Sequence, residues 1–378
     1  MRIPTSFPDT TARPRRALRL VTLALIAACA GGGSAPVRSS IPDIGAYPPL
    51  ASDAPPGASA SARSTATALG RGVNFGNMLE APTEGAWGLT VSDDFIDKAV
   101  AAGFTSVRLP VRWSNHAATD APYAIDPAFM ARVESIVDKL LAKGIVVVLN
   151  MHHYRQLDGD QPDAGERAVA AAAVDVRFVM LWDQIARRFA GRDARLVLEL
   201  YNEPHGRLQG GAWNLLAARA LGVVRRSNPS RVVILGPTSW NSASALALLR
   251  VPNDSNVIVT IHDYDPFTFT HQGAEWVNPV LPIGVTCCSA AQVAQMTAPL
   301  DVARDWSAAH HYPIYVGEFG AYSKADSASR TNFNRTMRSA MEARGMSWSY
   351  WEFAAGFGVY DPVTRSFRQS LLASLLGP

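Results

Sequence analysis

Eight short apolar or β-branched runs recur along the chain, spaced so that one helix fits between each run and the next. They are RGVNFGN (71–77), FTSVRLP (104–110), GIVVVLNMH (144–152), RLVLELYN (195–202), RVVILGP (231–237), NVIVTIH (256–262), PIYVGEFG (313–320) and SWSYWEF (347–353). Segments with helical spacing separate most of them, such as DPAFMARVESIVDKLLAKG and RTNFNRTMRSAMEARG, the second ending on Gly345 as a helix C-terminus favours. Strands alternating with helices build parallel sheets. Eight such units over about 300 residues predict an α/β fold, a (β/α)8 TIM barrel in a single domain spanning 68–378. The alternative is an open doubly wound sheet. It should carry a Gly-rich phosphate loop after its first strand, and GVNFGN lacks the GxGxxG spacing.

The runs also share a polarity. In VVVLNMHHY, LELYNEPHG, VIVTIHDYD, IYVGEFGAY and WSYWEF, apolar residues come first and His, Glu, Asn, Tyr or Trp come last. Active sites of such barrels lie at the C-terminal mouth, so these run ends converge on one place. LELYNEPHG poses the sharpest question, because burying a carboxylate costs several kcal/mol unless it is paired or used. Glu203 ends the fourth strand and Glu318 the seventh, 115 positions later, facing each other across a closed mouth. Two carboxylates in a cleft suit glycosidic hydrolysis, one protonating the leaving oxygen and one attacking or activating water. At about 5–5.5 Å apart the second acts as nucleophile and anomeric configuration is retained. Glu199 precedes Glu203 by four positions and falls on the same inward face by strand alternation, so it needs a partner such as an inward Arg.

YNEP at 201–204, GEFG at 317–320, Arg108 on strand two, MHHY on strand three and HDY on strand six resemble glycoside hydrolase family 5, of clan A. The opening GVNFGNMLEAPTEGAWG (72–88) and FTHQGAEW (269–276) are similar to bacterial endoglucanase-type members. The resemblance implies that Glu203 is the acid/base and Glu318 the nucleophile of a retaining hydrolase. An ionised Glu318 would raise the pKa of Glu203, and Arg108 would keep Glu318 charged. Asn202 is expected on the sugar 2-OH, Tyr264 on the nucleophile, His262 beside the acid/base, and His152 among the supporting residues. His153, its neighbour, faces the opposite way if the strand continues. Asp263 stands where relatives commonly have an aromatic residue and is expected to point away.

Sugar rings offer apolar faces to aromatic side chains. Trp351 is the expected floor of the central subsite, with Trp240, Trp276 and Trp87 in mouth-side loops as outer contacts, and Asn77 as a further substrate contact. The expected activity is endo-β-1,4-glucanase, with cellulose and related β-glucans as partner. The alternatives are an endo-β-1,4-mannanase or mixed enzyme and, from another class, a carbohydrate-binding protein without turnover. No metal and no cofactor is implied, and the chain is expected to act as a monomer.

Residues 1–30 read as an export signal: Arg13, Arg15, Arg16 and Arg19 precede the short apolar run LVTLALIAACA. IAAC fits a lipobox, which would acylate Cys29 and attach the protein to a membrane; ACA fits ordinary cleavage after Ala30. Either way the protein is exported, secreted or tethered at a bacterial cell surface. The formal net charge is +3, but residues 1–30 hold five Arg and one Asp, so the remainder is near −1. That balance gives no support for a nucleic-acid partner. Residues 31–67 are rich in Gly, Ala, Ser and Pro and read as a linker. Cys287 and Cys288 are adjacent, and both a vicinal disulfide and two free thiols stay open.

Overall fold

The computed structural model describes residues 40–163 and 165–377. Eight parallel strands close into a barrel in sequence order: β1 (Arg71–Asn74), β2 (Ser106–Leu109), β3 (Val146–Asn150), β4 (Leu196–Glu199), β5 (Val233–Leu235), β6 (Val257–His262), β7 (Ile314–Glu318) and β8 (Ser347–Tyr350). Each falls inside one of the eight apolar runs.

Strand pleat decides which way these residues face. In β3, Val147 and Leu149 join the layer beneath the surrounding helices, while Val146 and Val148 line the interior with Val197, Ile234, Ile258 and Tyr315. Both faces are covered, which is why the runs look continuously apolar instead of alternating.

Helix α1 (Ala60–Leu69) precedes β1. After it come α2 (Asp93–Ala102), α3 (Pro127–Ala142), α4 (Val174–Arg188), α5 (Gly211–Ser227), α6 (Ala290–His310), α7 (Ser327–Glu342) and α8 (Gln369–Leu376). Short polar side chains set several starts. Ser92 caps α2, Asp126 caps α3 ahead of its first-turn proline, and Ser289 with Gln292 forms a capping box on α6. Between β5 and β6 a long helix is replaced by a four-residue turn, Thr238–Asn241, and a 3-10 stretch, Ala243–Leu248.

The segment read as a linker over 31–67 runs into folded structure. Ala62, Ala66 and Leu69, one stripe of α1, pack against the interior valines. Upstream of α1, the Arg219 guanidinium donates to the carbonyls of Ile44 and Tyr47 at 3.0 and 2.6 Å, and the Leu50 N–H donates to the Ala218 carbonyl at 3.2 Å. Composition hid this because alanine is small. A stripe of alanines packs closely without the bulky residues that usually signal a buried face. The segment expected to be an export signal, 1–30 with Cys29, lies outside the described residues. Cys287 and Cys288 are joined in a vicinal disulfide.

One irregularity shapes the mouth. Along β6 and β7, Thr260 pairs with Tyr315 and Ile261 with Val316, but His262 pairs with Glu318. Gly317 is thus an extra residue on β7, a bulge of the kind that re-aims side chains beside active sites. A Cβ there would stand 2.9 Å from both His262 Nε2 and Thr260 Oγ1, so glycine leaves room for the histidine ring.

Candidate active site

Arg108 on β2 is fully buried, and its guanidinium gathers the mouth around it. Nε and one terminal nitrogen reach the two oxygens of Glu199 at 2.6 and 2.7 Å, a bidentate pair. Glu199 therefore has the inward Arg partner it requires. The same guanidinium donates to Asn202 Oδ1 at 2.7 Å, Glu318 Oε1 at 2.7 Å and Asn74 Oδ1 at 2.9 Å. Asn74 passes the order on, its amide donating to the Gly317 carbonyl at 3.0 Å. With Asn202 Oδ1 accepting from Arg108, its NH2 group is oriented to donate elsewhere in the site.

β4 ends at Glu199, but ladder hydrogen bonds continue: the Leu200 N–H donates to the Ile234 carbonyl and the Asn202 N–H to the Met151 carbonyl. Glu203 then turns into the left-handed region at φ 51, so alternation from Glu199 does not carry through to it. Pro204 and His205 follow, the His205 ring hydrogen-bonded to the Glu203 carbonyl at 2.7 Å.

The two mouth glutamates differ in their partners. Glu318 accepts from Arg108 on one oxygen and from the Tyr264 hydroxyl on the other at 2.9 Å. Glu203 Oε1 lies 2.7 Å from His262 Nδ1, and the same nitrogen is 3.7 Å from Glu318 Oε2. One carboxylate oxygen of each glutamate and a ring nitrogen of His262 all lie within 4.8 Å of one another.

Burial pushes the Glu203 carboxyl up to about 7, against the pull of Arg108 and His205. Loss of water is the largest cause and Glu199 is the like charge that adds to it; the charge on Glu318, the expected driver, is not among the leading causes. Burial also pushes Glu318 up, but His262, Arg108 and the Tyr264 hydroxyl all favour its charged form. With a guanidinium and a phenol in direct contact, Glu318 is the one held ionised. Burial lowers His262 to about 4, which leaves a neutral imidazole near neutral pH. Burial and then Glu318 raise the Tyr264 hydroxyl, which stays a proton donor.

Opposite this group, His152 stacks on Trp351 with ring centroids 5.9 Å apart and planes 12° from parallel. Trp351 follows β8, its N–H donating to the Phe319 carbonyl at 2.8 Å. Gly76 lies against the indole, where a Cβ would meet ring carbons at 2.9, 3.0 and 3.2 Å. His152 and His153 do not face opposite ways: β3 has ended at Asn150, His153 adopts φ 52, and the two rings meet edge to face at 4.3 Å.

Three exposed tryptophans rim the mouth. Trp87 meets His153 edge-on at 6.0 Å, and Trp240 stacks on His205 at 4.7 Å. Trp276 meets Tyr322 at 4.7 Å and approaches Phe357, which in turn contacts Tyr264. Asn77, half-buried at φ 63, is held through its backbone N–H on the buried Glu80 carboxyl. Asp263 accepts from the Asp265 N–H at 3.0 Å.

Arg108, Asn202, Glu203, His262, Tyr264 and Glu318 are thus brought together by hydrogen bonds and close contacts, His152 and Trp351 join them as a stacked pair, and Trp240, Trp276 and Asn77 lie outside the hydrogen-bonded group. Sequence reasoning missed Asn74, Asn241 and Glu80. Asn74 had a legible signal, a polar residue inside an apolar run. The other two lie in loops where spacing carries no direction.

Glu203, His262 and Glu318 are also close enough together to suggest a metal site. The donor set disfavours it. Both Glu318 oxygens already accept from Arg108 and Tyr264, and a divalent ion ~4 Å from the guanidinium would be repelled by about 8 kcal/mol at an effective dielectric of ~20.

Residues 67–356 match the family described as Cellulase (glycosyl hydrolase family 5). Endoglucanase H of Acetivibrio thermocellus is 34% identical over 317 residues, covering 82% of this chain and 33% of that protein. Cellulase/esterase CelE of the same organism is 31% identical, covering 77% of this chain and 36% of that protein. The chain thus spans about a third of each of these curated relatives. Among solved structures, a hyperthermophilic endo-β-1,4-glucanase in complex with substrate superposes with a TM-score of 0.80 at 40% identity, covering 84% of this chain and 99% of that one. Thermotoga maritima Cel5A in complex with mannotriose superposes with a TM-score of 0.78 at 40% identity, covering 83% and 99%. On the barrel, the mouth and these matches together, the chain belongs to glycosyl hydrolase family 5, the cellulase family.

Proposed function

We propose that this protein is a retaining endo-β-1,4-glucanase, with Glu318 as nucleophile and Glu203 as acid/base. The observation that carries the reading is the separation of the glutamates, whose oxygens approach within 4.8 Å. Double displacement uses carboxyl groups about 5–5.5 Å apart, whereas an inverting enzyme needs roughly 6.5–9.5 Å to admit a water.

The roles follow from the partners. Glu318, ion-paired and accepting from Tyr264, is suited to attack the anomeric carbon. Glu203, with its carboxyl pushed up to about 7, holds a proton for the leaving oxygen and takes one back from water in the second step. The Asn202 NH2 group, aimed by Arg108, is suited to hydrogen-bond the sugar 2-OH. Trp351 offers an apolar face to the ring. Exposed Trp87, Trp240 and Trp276 extend the surface for a chain longer than one sugar. Glucan is supported as substrate by endoglucanase relatives, and mannan enters as second substrate because a relative at 40% identity was solved with mannotriose. A polymer substrate outside the cell fits the export signal read over residues 1–30.

The test pairs two variants with a substrate panel of carboxymethylcellulose, β-glucan, mannan and xylan. Glu318→Gln should lose turnover while remaining folded. Glu203→Ala should lose activity on polysaccharide but retain much of it on activated aryl cellobiosides, whose leaving groups need little protonation. Substantial carboxymethylcellulose hydrolysis by Glu318→Gln, or equal loss on both substrate types in Glu203→Ala, would remove the assignment.

A further inference from the structure

The His262 ring lies between two side chains. Its Nδ1 is 2.7 Å from Glu203 Oε1, and its Nε2 is 3.3 Å from Asn241 Nδ2. A neutral imidazole carries one N–H, so the group on one nitrogen dictates what the other does. An amide NH2 only donates. Facing Nε2, it requires the lone pair there and leaves the proton on Nδ1. The reverse amide orientation is worse. Asn241 Oδ1 is buried without a partner, and turning the amide over would place an amino group in that position, stranding donors instead of one acceptor.

The surroundings are shaped for this contact. A Cβ on Gly236 would stand 2.1 Å from Asn241 Oδ1, and one on Gly317 would stand 2.9 Å from His262 Nε2. Two glycines, just after β5 and within β7, clear space for the pair. The backbone is bent to deliver it: Ser239, Trp240 and Asn241 lie in succession at φ 56, 57 and 57. Left-handed conformation is usual for single residues, not for runs of non-glycine residues, and persists where surrounding structure enforces it. The turn sends Trp240 outward, 55% exposed over His205, and Asn241 inward, fully buried on His262.

We propose that Asn241 is a positioning residue that locks His262 as the Nδ1–H tautomer, so that the acidic proton of Glu203 resides on Oε2 and not between Glu203 and His262. This rests on the reading of Glu203 as the acid/base. With Nδ1–H donating to Oε1, a protonated Glu203 carries its hydrogen on the other oxygen, available to the leaving group. In the opposite tautomer Nδ1 becomes an acceptor. It then draws the carboxyl proton into an internal hydrogen bond, where it does no work.

The experiment uses the full chain with 15N-labelled histidine and long-range 1H–15N spectra that distinguish the ring tautomers. The wild type should show His262 as Nδ1–H. Asn241→Leu, which removes the donor, should shift it toward Nε2–H. Asn241→Asp, which presents an acceptor, should place a proton on Nε2 and serves equally if the leucine variant does not fold. General-acid assistance contributes about 10²–10⁴-fold, so partial loss should lower kcat/KM for cellotetraose by roughly 10- to 30-fold and for dinitrophenyl cellobioside by less than about 3-fold. An Nε2–H wild type, a tautomer unmoved in both variants, or equal loss on both substrates would overturn the proposal. If Glu203→Ala itself loses both substrates equally, the acid/base reading falls instead.

Discussion

Replacing Glu199 with Gln tests the charge arrangement beneath the mouth. Two carboxylates, Glu199 at 2.6 Å and Glu318 at 2.7 Å, share the buried Arg108 guanidinium. Gln keeps the shape but offers one acceptor, and its NH2 group faces a guanidinium N–H that had been satisfied. Removing one partner of a buried pair costs about 3–5 kcal/mol, and the Glu318 contact that remains places this case near ~3 kcal/mol. The shift per kcal/mol falls with domain size and is roughly 2–4 °C for domains somewhat smaller than this one, so Tm should fall by about 6 °C.

A second readout comes from Glu203, whose carboxyl Glu199 helps to raise. Glu199 is the like charge that adds to burial there, and it shares the Arg108 guanidinium with Glu318, so its removal acts directly on the pair. Losing the negative charge lowers the Glu203 pKa, and the acid must be protonated to work. The alkaline limb of kcat/KM should therefore move to lower pH. Thermal unfolding at pH 7 and a pH profile on β-glucan measure both. A Tm within about 2 °C of wild type, or an alkaline limb that stays put, would refute the reasoning.

Two further outcomes are expected. Glu80 is buried on the N–H groups of Asn77 and Met78, and burial raises its carboxyl from 4.5 to about 8. Its stabilising contribution is complete below pH 4.5 and is lost as pH rises toward about 8, so Glu80→Gln should make the fall of Tm between pH 5 and 8 shallower; an unchanged slope counts against it. Gly76→Ala places a methyl 2.9 Å from the Trp351 indole, and the ring must shift. Kinetics on cello-oligosaccharides should show kcat/KM lower by about 10-fold with ~1–3 kcal/mol of overpacking strain, and wild-type kinetics would show that the ring needs no such seat.

Much of the site could be read along the chain because barrel architecture turns sequence order into position. A polar residue closing an apolar run lies at the mouth, whatever its number, which singles out Glu203, Glu318 and Trp351, while Arg108, His152, Asn202, His262 and Tyr264 take their roles from the resemblance to glycoside hydrolase family 5. Glu199 was read as needing an inward cation, and it has one, but the same Arg108 also holds Glu318, Asn202 and Asn74. A one-dimensional pattern shows that a charge needs a partner. It does not show that one guanidinium serves several groups.

Alternation failed wherever the backbone left the strand. His153, Glu203 and the three residues 239–241 are non-glycine residues at positive φ, and nothing in residue type alone announces that conformation for His, Glu, Ser or Trp. The alanine stripe of α1 escaped notice for a different reason. Low-complexity composition and a small-residue packing face look alike until the surface they cover is present.

The sequence by itself determined the barrel, the end of it that carries the chemistry and the two carboxylates, since periodicity and burial act locally and repeat. The tertiary structure decided their separation, the bulge at Gly317 that sets His262 opposite Glu318, and the contact of Asn241 with His262. Those depend on ring closure and on backbone bends that bring residues from different strands within hydrogen-bond reach, and no local spacing encodes such distances.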